Sequence, residues 1–216
     1  MQRENAMSIV VYEAPSSSAS PVTWALAELN VPHHRVRALP EIAGHASSTG
    51  PRLAPDGSVP TLVVNGTPMF DALSILTWLG DSYGVAQRLW PAANAPHRRE
   101  ALTWSTWAYV MYGAALHRLT QATRDPDEHA VRDPAAAERA RGELDRLLKV
   151  LDARLTGAPY LLGQEFSLAD LIVSSVVRYG EYLGATVEGH ANVRAWLERC
   201  QTRPKLRELL DLENAA

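Results

Sequence analysis

Residues 56–84 read DGSVPTLVVNGTPMFDALSILTWLGDSYG, and this stretch decides the fold of the first part of the chain. Residues 61–64 are a short apolar run rich in β-branched side chains. Asn65-Gly66 is a strong signal for a two-residue type I′ turn, because both central positions of that turn need φ > 0. Asp71 follows the return strand and lies where a helix N-cap belongs. Apolar residues then continue at helical spacing, so the stretch predicts strand, turn, strand and helix.

The Val59-Pro60 pair precedes the first of these strands. Proline has no amide to donate, so it belongs at the start of a strand, and an X-Pro bond is the usual place for a cis peptide. A cis bond would turn the Val59 amide and carbonyl outward, toward an extended ligand. The helix N-terminus at Asp71 offers a neighbouring place for an anion. The hairpin therefore predicts a pocket for a small peptide or a carboxylate.

The rest of residues 1–84 completes a small α/β unit in the order β-α-β-α-β-β-α. Residues 8–12 predict a buried strand, and residues 22–30 a helix that Ser20 caps and Pro21 opens. Residues 33–37 predict a second strand. It should run parallel to the first, since a helical crossover joins the two.

Residues 85–96 are a linker rich in alanine and proline, and residues 97–216 show helical patterns only. Ser167 and Asp170 have the spacing of a capping box, and Phe166 and Leu171 that of a hydrophobic staple. The apolar helix that they open is predicted to be the buried centre of this half. The predicted helices span residues 97–118, 135–155, 167–182, 190–202 and 204–212.

Composition excludes several classes of protein. The chain has 216 residues with a net charge of -3, so no strong field favours nucleic acid or a membrane surface. No run of 18 apolar residues predicts a membrane span. The single cysteine, Cys200, cannot form an internal disulfide, which is typical of a reducing compartment. We therefore expect a cytoplasmic protein, and the seven histidines show no spacing that predicts a metal site.

Six sequence features follow one another along the chain in a recognisable order: VTWAL at 22–26, PDGSVPTL at 55–62, the helix after Asp71, SLAD at 167–170, NVRAWL at 192–197 and RP at 203–204. In this order and spacing they resemble the soluble glutathione S-transferase superfamily, in its serine-type, bacterial-like form, and the resemblance runs from Ile9 to Leu210. It implies a thioredoxin-like α/β domain at residues 1–84, an all-α helical bundle at residues 97–216, and a homodimer. It also implies glutathione as a cosubstrate, bound mainly by the first domain, with a small hydrophobic electrophile between the two domains.

Such an enzyme must stabilise the thiolate of glutathione, because a thiol with a pKa of about 8.5 is mostly protonated at neutral pH. A hydroxyl that donates to the sulfur at a helix N-terminus does this. The resemblance places the hydroxyl at Ser16, or at Ser17 or Ser18, the positions used in other branches, and we rank Ser16 first. On the residues alone, a capped loop explains the serine cluster better. Tyr12 is a rival donor whose strand position favours packing.

The implied glutathione pocket departs from the family pattern at two positions. Ser58 replaces the common lysine or glutamine, and Ala72 replaces the serine that binds the γ-glutamyl carboxylate. A lost hydrogen bond to a charged group is worth roughly 1.5–3 kcal/mol, or about ten- to a hundredfold in affinity. We therefore expect weaker binding of glutathione, unless Arg52 or another residue compensates. The implied pocket residues are Ser58, Val59, Pro60, Asp71 and Ala72.

The helix at residues 97–118 lines the hydrophobic substrate site in this family. Most of its aromatic residues should pack in the core, since an amphipathic helix buries them in any case. Tyr109, Tyr112 and Arg118 are the predicted substrate contacts, being polar-tipped and close to the domain boundary. The resemblance thus predicts a transferase. The departures favour two alternatives: a transferase-like binding or pathway protein with weak or no glutathione activity, or an enzyme that uses another thiol.

Overall fold

The predicted hairpin is present in the computed structural model, which describes residues 8–14, 20–37, 54, 59–123 and 133–214. Strands β3 (Thr61–Val64) and β4 (Thr67–Phe70) pair antiparallel. Asn65 and Gly66 have φ values of 49° and 83°, which is the left-handed geometry that a type I′ turn requires. The turn therefore sets the register of the two strands.

Strands β1 (Ile9–Glu13) and β2 (His34–Arg37) complete a four-stranded sheet of order β2-β1-β3-β4. β2 is parallel to β1, and β3 is antiparallel to it. The crossover helix α1 (Ser20–Glu28) joins β1 to β2, which confirms the predicted parallel pair. Ser20 is the first helical residue. The second helix of the predicted order, which the sequence places at residues 39–48, lies outside the described residues.

Helix α2 (Ala72–Leu79) follows β4 and continues into a π-helical turn at Gly80–Gly84. It contacts α1, and both helices bury apolar side chains in the core of this part of the chain. Deep burial of branched side chains contributes about 1.5–3 kcal/mol each, which holds the two helices in place. The core residues are Val22, Leu26, Ile75, Leu76 and Leu79, each completely buried.

The helix predicted at residues 97–118 is longer and contains a π-helical segment. α3 (Arg98–Trp107) runs into the π-helical segment Ala108–Tyr112 and then into α4 (Gly113–Thr123). The Gly113 amide bonds to the Ala108 carbonyl, which adds one residue to the turn. Within this segment Ala108 and Tyr112 are buried, whereas Met111 is 50% exposed.

Three further helices complete this half: α5 (Pro134–Leu155), α6 (Leu168–Tyr182) and α7 (Ala191–Gln201). The predicted capping box opens α6. Asp170 accepts hydrogen bonds from the Ser167 amide at 2.9 Å and from its hydroxyl at 2.7 Å. The Trp196 indole of α7 donates to the same carboxylate at 2.9 Å. Burial raises the pKa of Asp170, against the effect of these hydrogen bonds.

The described residues form two compact units, and α8 (Pro204–Asn214) belongs to the first. The first unit extends to Leu89 and resumes at Pro204, because α8 packs against α1 and buries Leu209 there. The second unit runs from Trp90 to Arg203. The sequence analysis instead drew domains at 1–84 and 97–216. Helical periodicity cannot show which neighbour a terminal helix packs against.

Candidate functional site

Strand register brings three chain segments together at one edge of the sheet. Tyr12, near the end of β1, pairs with Thr61 at the start of β3. Thr61 in turn pairs with Phe70 at the end of β4. We call this side of the sheet, where β1 and β4 end and β3 begins, the carboxyl edge. It is defined by Tyr12, Glu13, Pro60, Thr61 and Phe70. It places the Val59-Pro60 pair and the start of α2 on the same side of the first unit.

The Val59-Pro60 bond at the carboxyl edge is cis, as the sequence analysis expected. Pro60 is buried and directly precedes β3. The proline therefore occupies the strand-start position at which its missing amide leaves the ladder intact. Backbone pairing of Val59 with a ligand stays a prediction.

Asp71 caps α2 from a left-handed backbone conformation. Its φ is 71° and its ψ is 122°, and its carboxylate accepts a hydrogen bond from the Ser74 amide at 3.0 Å. Positive φ in a residue other than glycine costs about 1–3 kcal/mol and is concentrated at functional sites. Ala72, the first helical residue, is 5% exposed. The start of α2 thus has the exposed Asp71 cap and the helix dipole of the predicted anion site, but Ala72 provides no hydroxyl.

The predicted catalytic serines lie outside the described residues. This holds for Ser16, Ser17 and Ser18, and also for Ser58 of the predicted glutathione pocket. Their flanks are described: β1 ends at Glu13, and α1 begins at Ser20. The serine segment is therefore bounded on one side by the carboxyl edge and on the other by a helix N-terminus.

The three predicted substrate contacts differ in burial and in neighbours. Tyr112 is completely buried and faces Gly180 of α6, and burial raises the pKa of its hydroxyl above the ordinary value. Arg118 is exposed and forms hydrogen bonds of 2.7 and 3.1 Å to Glu143 of α5. Tyr109 is partly buried. Tyr112 and Arg118 thus contact different helices, and a role of either in substrate binding stays a prediction.

One polar cluster at the carboxyl edge was missed by the sequence analysis. Glu13 is 4% exposed, accepts from Thr23 of α1 at 2.6 Å and pairs with Arg35 of β2 at 2.6 Å. The available signal was the alternation of β1, in which Ile9 and Val11 share the buried face with Glu13. A carboxylate on the buried face of an alternating strand indicates a buried partner.

Other reactive groups offer little chemistry. Cys200 is completely buried, and burial raises the pKa of its thiol well above the ordinary value, so it is a poor nucleophile. Within residues 8–14, 20–37, 54, 59–123 and 133–214, no group of three or more His, Cys, Asp or Glu side chains could hold a metal ion. No helix in that same part of the chain is long and apolar enough to cross a membrane.

Family comparisons agree with this architecture. The glutathione S-transferase N-terminal domain matches residues 15–82, and the glutathione S-transferase C-terminal domain matches residues 106–204. Glutathione S-transferase GstB of Escherichia coli strain K12 is 28% identical over 200 residues, which cover 90% of this chain and 93% of GstB. The disulfide-bond oxidoreductase YfcG of the same strain is 25% identical over 206 residues, covering 91% of each chain.

A solved structure shows the same fold. Glutathione transferase URE2P8 from Phanerochaete chrysosporium, crystallised with oxidized glutathione, superposes with a TM-score of 0.83 at 19% identity. The superposition covers 99% of this chain and 98% of URE2P8. The two family domains, their order, and a thioredoxin-like sheet followed by a helical unit lead to one conclusion: this chain is a member of the glutathione S-transferase superfamily.

Proposed function

We propose that this protein is a glutathione transferase-type enzyme, which activates the thiol of glutathione for attack on a small hydrophobic electrophile. The observation that carries the proposal is the carboxyl edge. It brings the end of β1, the Val59-Pro60 pair and the capped start of α2 to one side of the sheet. Peptide-like ligands pair with exposed backbone, and their carboxylates favour helix N-termini. Glutathione carries both features.

In this proposal the first unit binds the tripeptide. Val59 pairs with the peptide backbone of glutathione, and the Ala72 amide beside Asp71 meets its γ-glutamyl end. The Ser16 hydroxyl donates to the sulfur near the start of α1, where the helix dipole also favours a thiolate. Ser17 and Ser18 are the second and third choices for this donor.

The helical unit would contribute the electrophile site through Tyr109, Tyr112 or Arg118. We further propose a homodimer and a cytoplasmic location. The buried, unpaired Cys200 supports a reducing compartment, because such a thiol needs no oxidising environment to fold.

Thermal unfolding in glutathione tests the proposal. A ligand at a hundredfold excess over its Kd stabilises the folded state by about 2.7 kcal/mol, so millimolar glutathione should raise Tm. The same samples should conjugate model hydrophobic electrophiles. Absence of both effects at every attainable concentration would overturn the transferase proposal in favour of a binding or pathway protein. A Tm shift with another thiol in place of glutathione would identify a different cosubstrate.

Serine substitutions test the thiol-activating donor. Ser16→Ala should lower turnover and raise the pH at which the bound thiol ionises, because it removes the hydroxyl that stabilises the thiolate. Ser18→Ala is the matched comparison from the same segment. Retained activity in Ser16→Ala, together with its loss in Ser18→Ala, would move the role to Ser18.

A second candidate function is reduction of disulfides by glutathione, which the similarity to YfcG favours. Cys200 is the chain's one cysteine and is buried, so the protein cannot supply a dithiol. The electrons would come from two glutathione molecules: the substrate disulfide is reduced to two thiols while the two glutathione thiols are oxidised to one glutathione disulfide. An assay of a model disulfide coupled to glutathione reductase would show this activity, and Cys200→Ser should retain it.

A further inference from the structure

Glu13 is a buried carboxylate at the last position of β1. Ile9 and Val11, on the same face of the strand, are 2% and 0% exposed, and Glu13 is 4% exposed. The face is otherwise apolar, and charged side chains are almost never this buried unless they are paired. The partners of Glu13 therefore decide what it does.

Each oxygen of the Glu13 carboxylate has a partner from a different element. Oε1 accepts from Arg35 Nε of β2 at 2.6 Å. Oε2 accepts from the Thr23 hydroxyl, in the first turn of α1, at 2.6 Å. The carboxylate thus ties together the end of β1, the start of α1 and the neighbouring parallel strand. Charge-assisted hydrogen bonds of this length are the strong ones.

The charge of Arg35 matters as well as its contact. A buried carboxylate near a thiolate would oppose ionisation of the thiol, since like charges disfavour the charged form. Arg35 neutralises Glu13 at the point where the carboxyl edge meets the N-terminal turn of α1. In the proposed function, the dipole of α1 and a serine hydroxyl stabilise the thiolate, and a neutralised Glu13 does not oppose them.

We propose that Glu13 and Arg35 form a charge-balanced positioning pair, which holds the first turn of α1 against the end of β1 and cancels the buried charge beside the thiol site. The inference rests on the proposed function. Neither residue is assigned contact with glutathione. They act through α1 and through the electrostatic potential at the carboxyl edge.

The surrounding elements carry few other ionisable groups among the described residues. β2 also carries His34 and Arg37, β1 carries Tyr12, and α1 carries Glu28 at its far end. Arg37 pairs in register with Glu13 but is exposed. Arg35 Nε lies 2.6 Å from the Glu13 carboxylate, which makes Arg35 the counterion to remove.

Four variants test the pair: Arg35→Gln, Arg35→Lys, Glu13→Gln and the double variant Glu13→Gln/Arg35→Gln. The readout is the pH titration of the thiolate of bound glutathione, followed by its ultraviolet absorbance in the full-length protein. Glu28→Gln is the matched control. Like Glu13, Glu28 is a buried carboxylate, and it accepts from the Trp24 indole at 2.9 Å. It lies on α1, at the end of the helix away from Glu13.

Arg35→Gln should raise the apparent pKa of the bound thiol by roughly half a pH unit, because Glu13 is then a negative charge without its counterion, partly screened by solvent. Glu13→Gln should lower the pKa by a similar amount, because Arg35 is then the uncompensated charge. The apparent pKa of the bound thiol in the double variant should be close to the wild-type value, and so should the pKa in Arg35→Lys. Glu28→Gln should leave the titration unchanged.

Two outcomes would contradict the inference, in distinguishable ways. If the wild type titrates normally but Arg35→Gln and Glu13→Gln leave the pKa unchanged, or shift it in the same direction, the pair has only a structural role. If the wild type shows no bound thiolate at all, the proposed function fails, and this inference fails with it. Thermal unfolding of every variant separates loss of fold from loss of charge balance.

Discussion

The hydroxyl of Tyr112 lies where a side chain at Gly180 would begin. An ideal Cβ built on Gly180 would be 2.9 Å from Tyr112 Oη and 3.1 Å from Leu116 Cδ2. Real Cβ atoms hardly ever approach another heavy atom within 3.0 Å, so a side chain at position 180 would require Tyr112 or α6 to shift. The Tyr112 hydroxyl is buried and has no hydrogen-bond partner among the described residues.

Gly180→Ala should therefore destabilise the protein by about 1–2 kcal/mol. Overpacking costs roughly 1–3 kcal/mol, and the better helix propensity of alanine offsets up to about 1 kcal/mol of that. Urea unfolding measures the difference. Gly142→Ala on α5 is the matched control, because its Cβ would meet only the Arg146 side chain at 3.8 Å. That control should be neutral or stabilising.

Tyr112→Phe tests the other residue of this contact. Removal of a buried hydroxyl with no partner should change the free energy of unfolding by less than about 0.5 kcal/mol or stabilise the fold. In the Tyr112→Phe background, the cost of Gly180→Ala should fall by about 1 kcal/mol, since the nearest clashing atom is gone. Additive effects of the two substitutions would show that the hydroxyl is not the obstacle.

Asp170→Ala should cost roughly 3–5 kcal/mol of stability, because it leaves several buried donors without an acceptor. Its carboxylate accepts from Leu161 N at 2.7 Å, Ser167 N at 2.9 Å and Trp196 Nε1 at 2.9 Å. Asp133→Ala is a control for capping alone. Asp133 is exposed and caps α5 by accepting from Ala136 N at 2.8 Å, so its loss should cost about 1 kcal/mol. Equal losses would contradict a special role for the buried cap.

Ala72→Ser should strengthen glutathione binding by about ten- to a hundredfold, if the γ-glutamyl carboxylate meets the start of α2. The added hydroxyl would donate to that carboxylate beside the Asp71 cap. Isothermal titration calorimetry with glutathione measures the change. Ser74→Ala is the control; the Asp71 carboxylate bonds the Ser74 backbone amide, so this cap survives loss of the side chain. An unchanged Kd in Ala72→Ser would mean that the carboxylate binds elsewhere.

Asp145 should make a contribution to the stability of the folded state that depends on pH. Its hydrogen bond with Lys149, supported by His190, lowers the pKa of Asp145 below the ordinary value of 3.8. A depressed folded-state pKa stabilises the fold above the unfolded value, and that stabilisation is lost as pH falls through the folded value. Asp145→Asn should thus be less stable than wild type at neutral pH, and the difference should shrink as pH falls below the unfolded value and through the lowered folded-state pKa. Acid unfolding curves of both proteins check this, and a constant difference would contradict it.

Some of the candidate site was predictable from local sequence. Asn65-Gly66 predicted the turn because few residues tolerate φ > 0 at two successive positions. Val59-Pro60 was a candidate for a cis bond and Asp71 for a helix cap, because a proline and a carboxylate act within their own segments. The Glu13 cluster could not be predicted in this way, since its partners lie 10 and 22 residues away on two other elements.

The sequence by itself determined the elements and the family, because turn, cap and periodic patterns act over a few residues. Register, burial and packing partners were decided only by the tertiary structure. Tyr112 illustrates this: the sequence places it on an amphipathic helix, and only the structure shows that it lies in a π-helical segment with its side chain buried against Gly180. The packing of α8 on α1 and the pairing of Glu13 with Arg35 are long-range contacts of the same kind. Their free energy depends on which surfaces meet, and a local pattern does not contain that information.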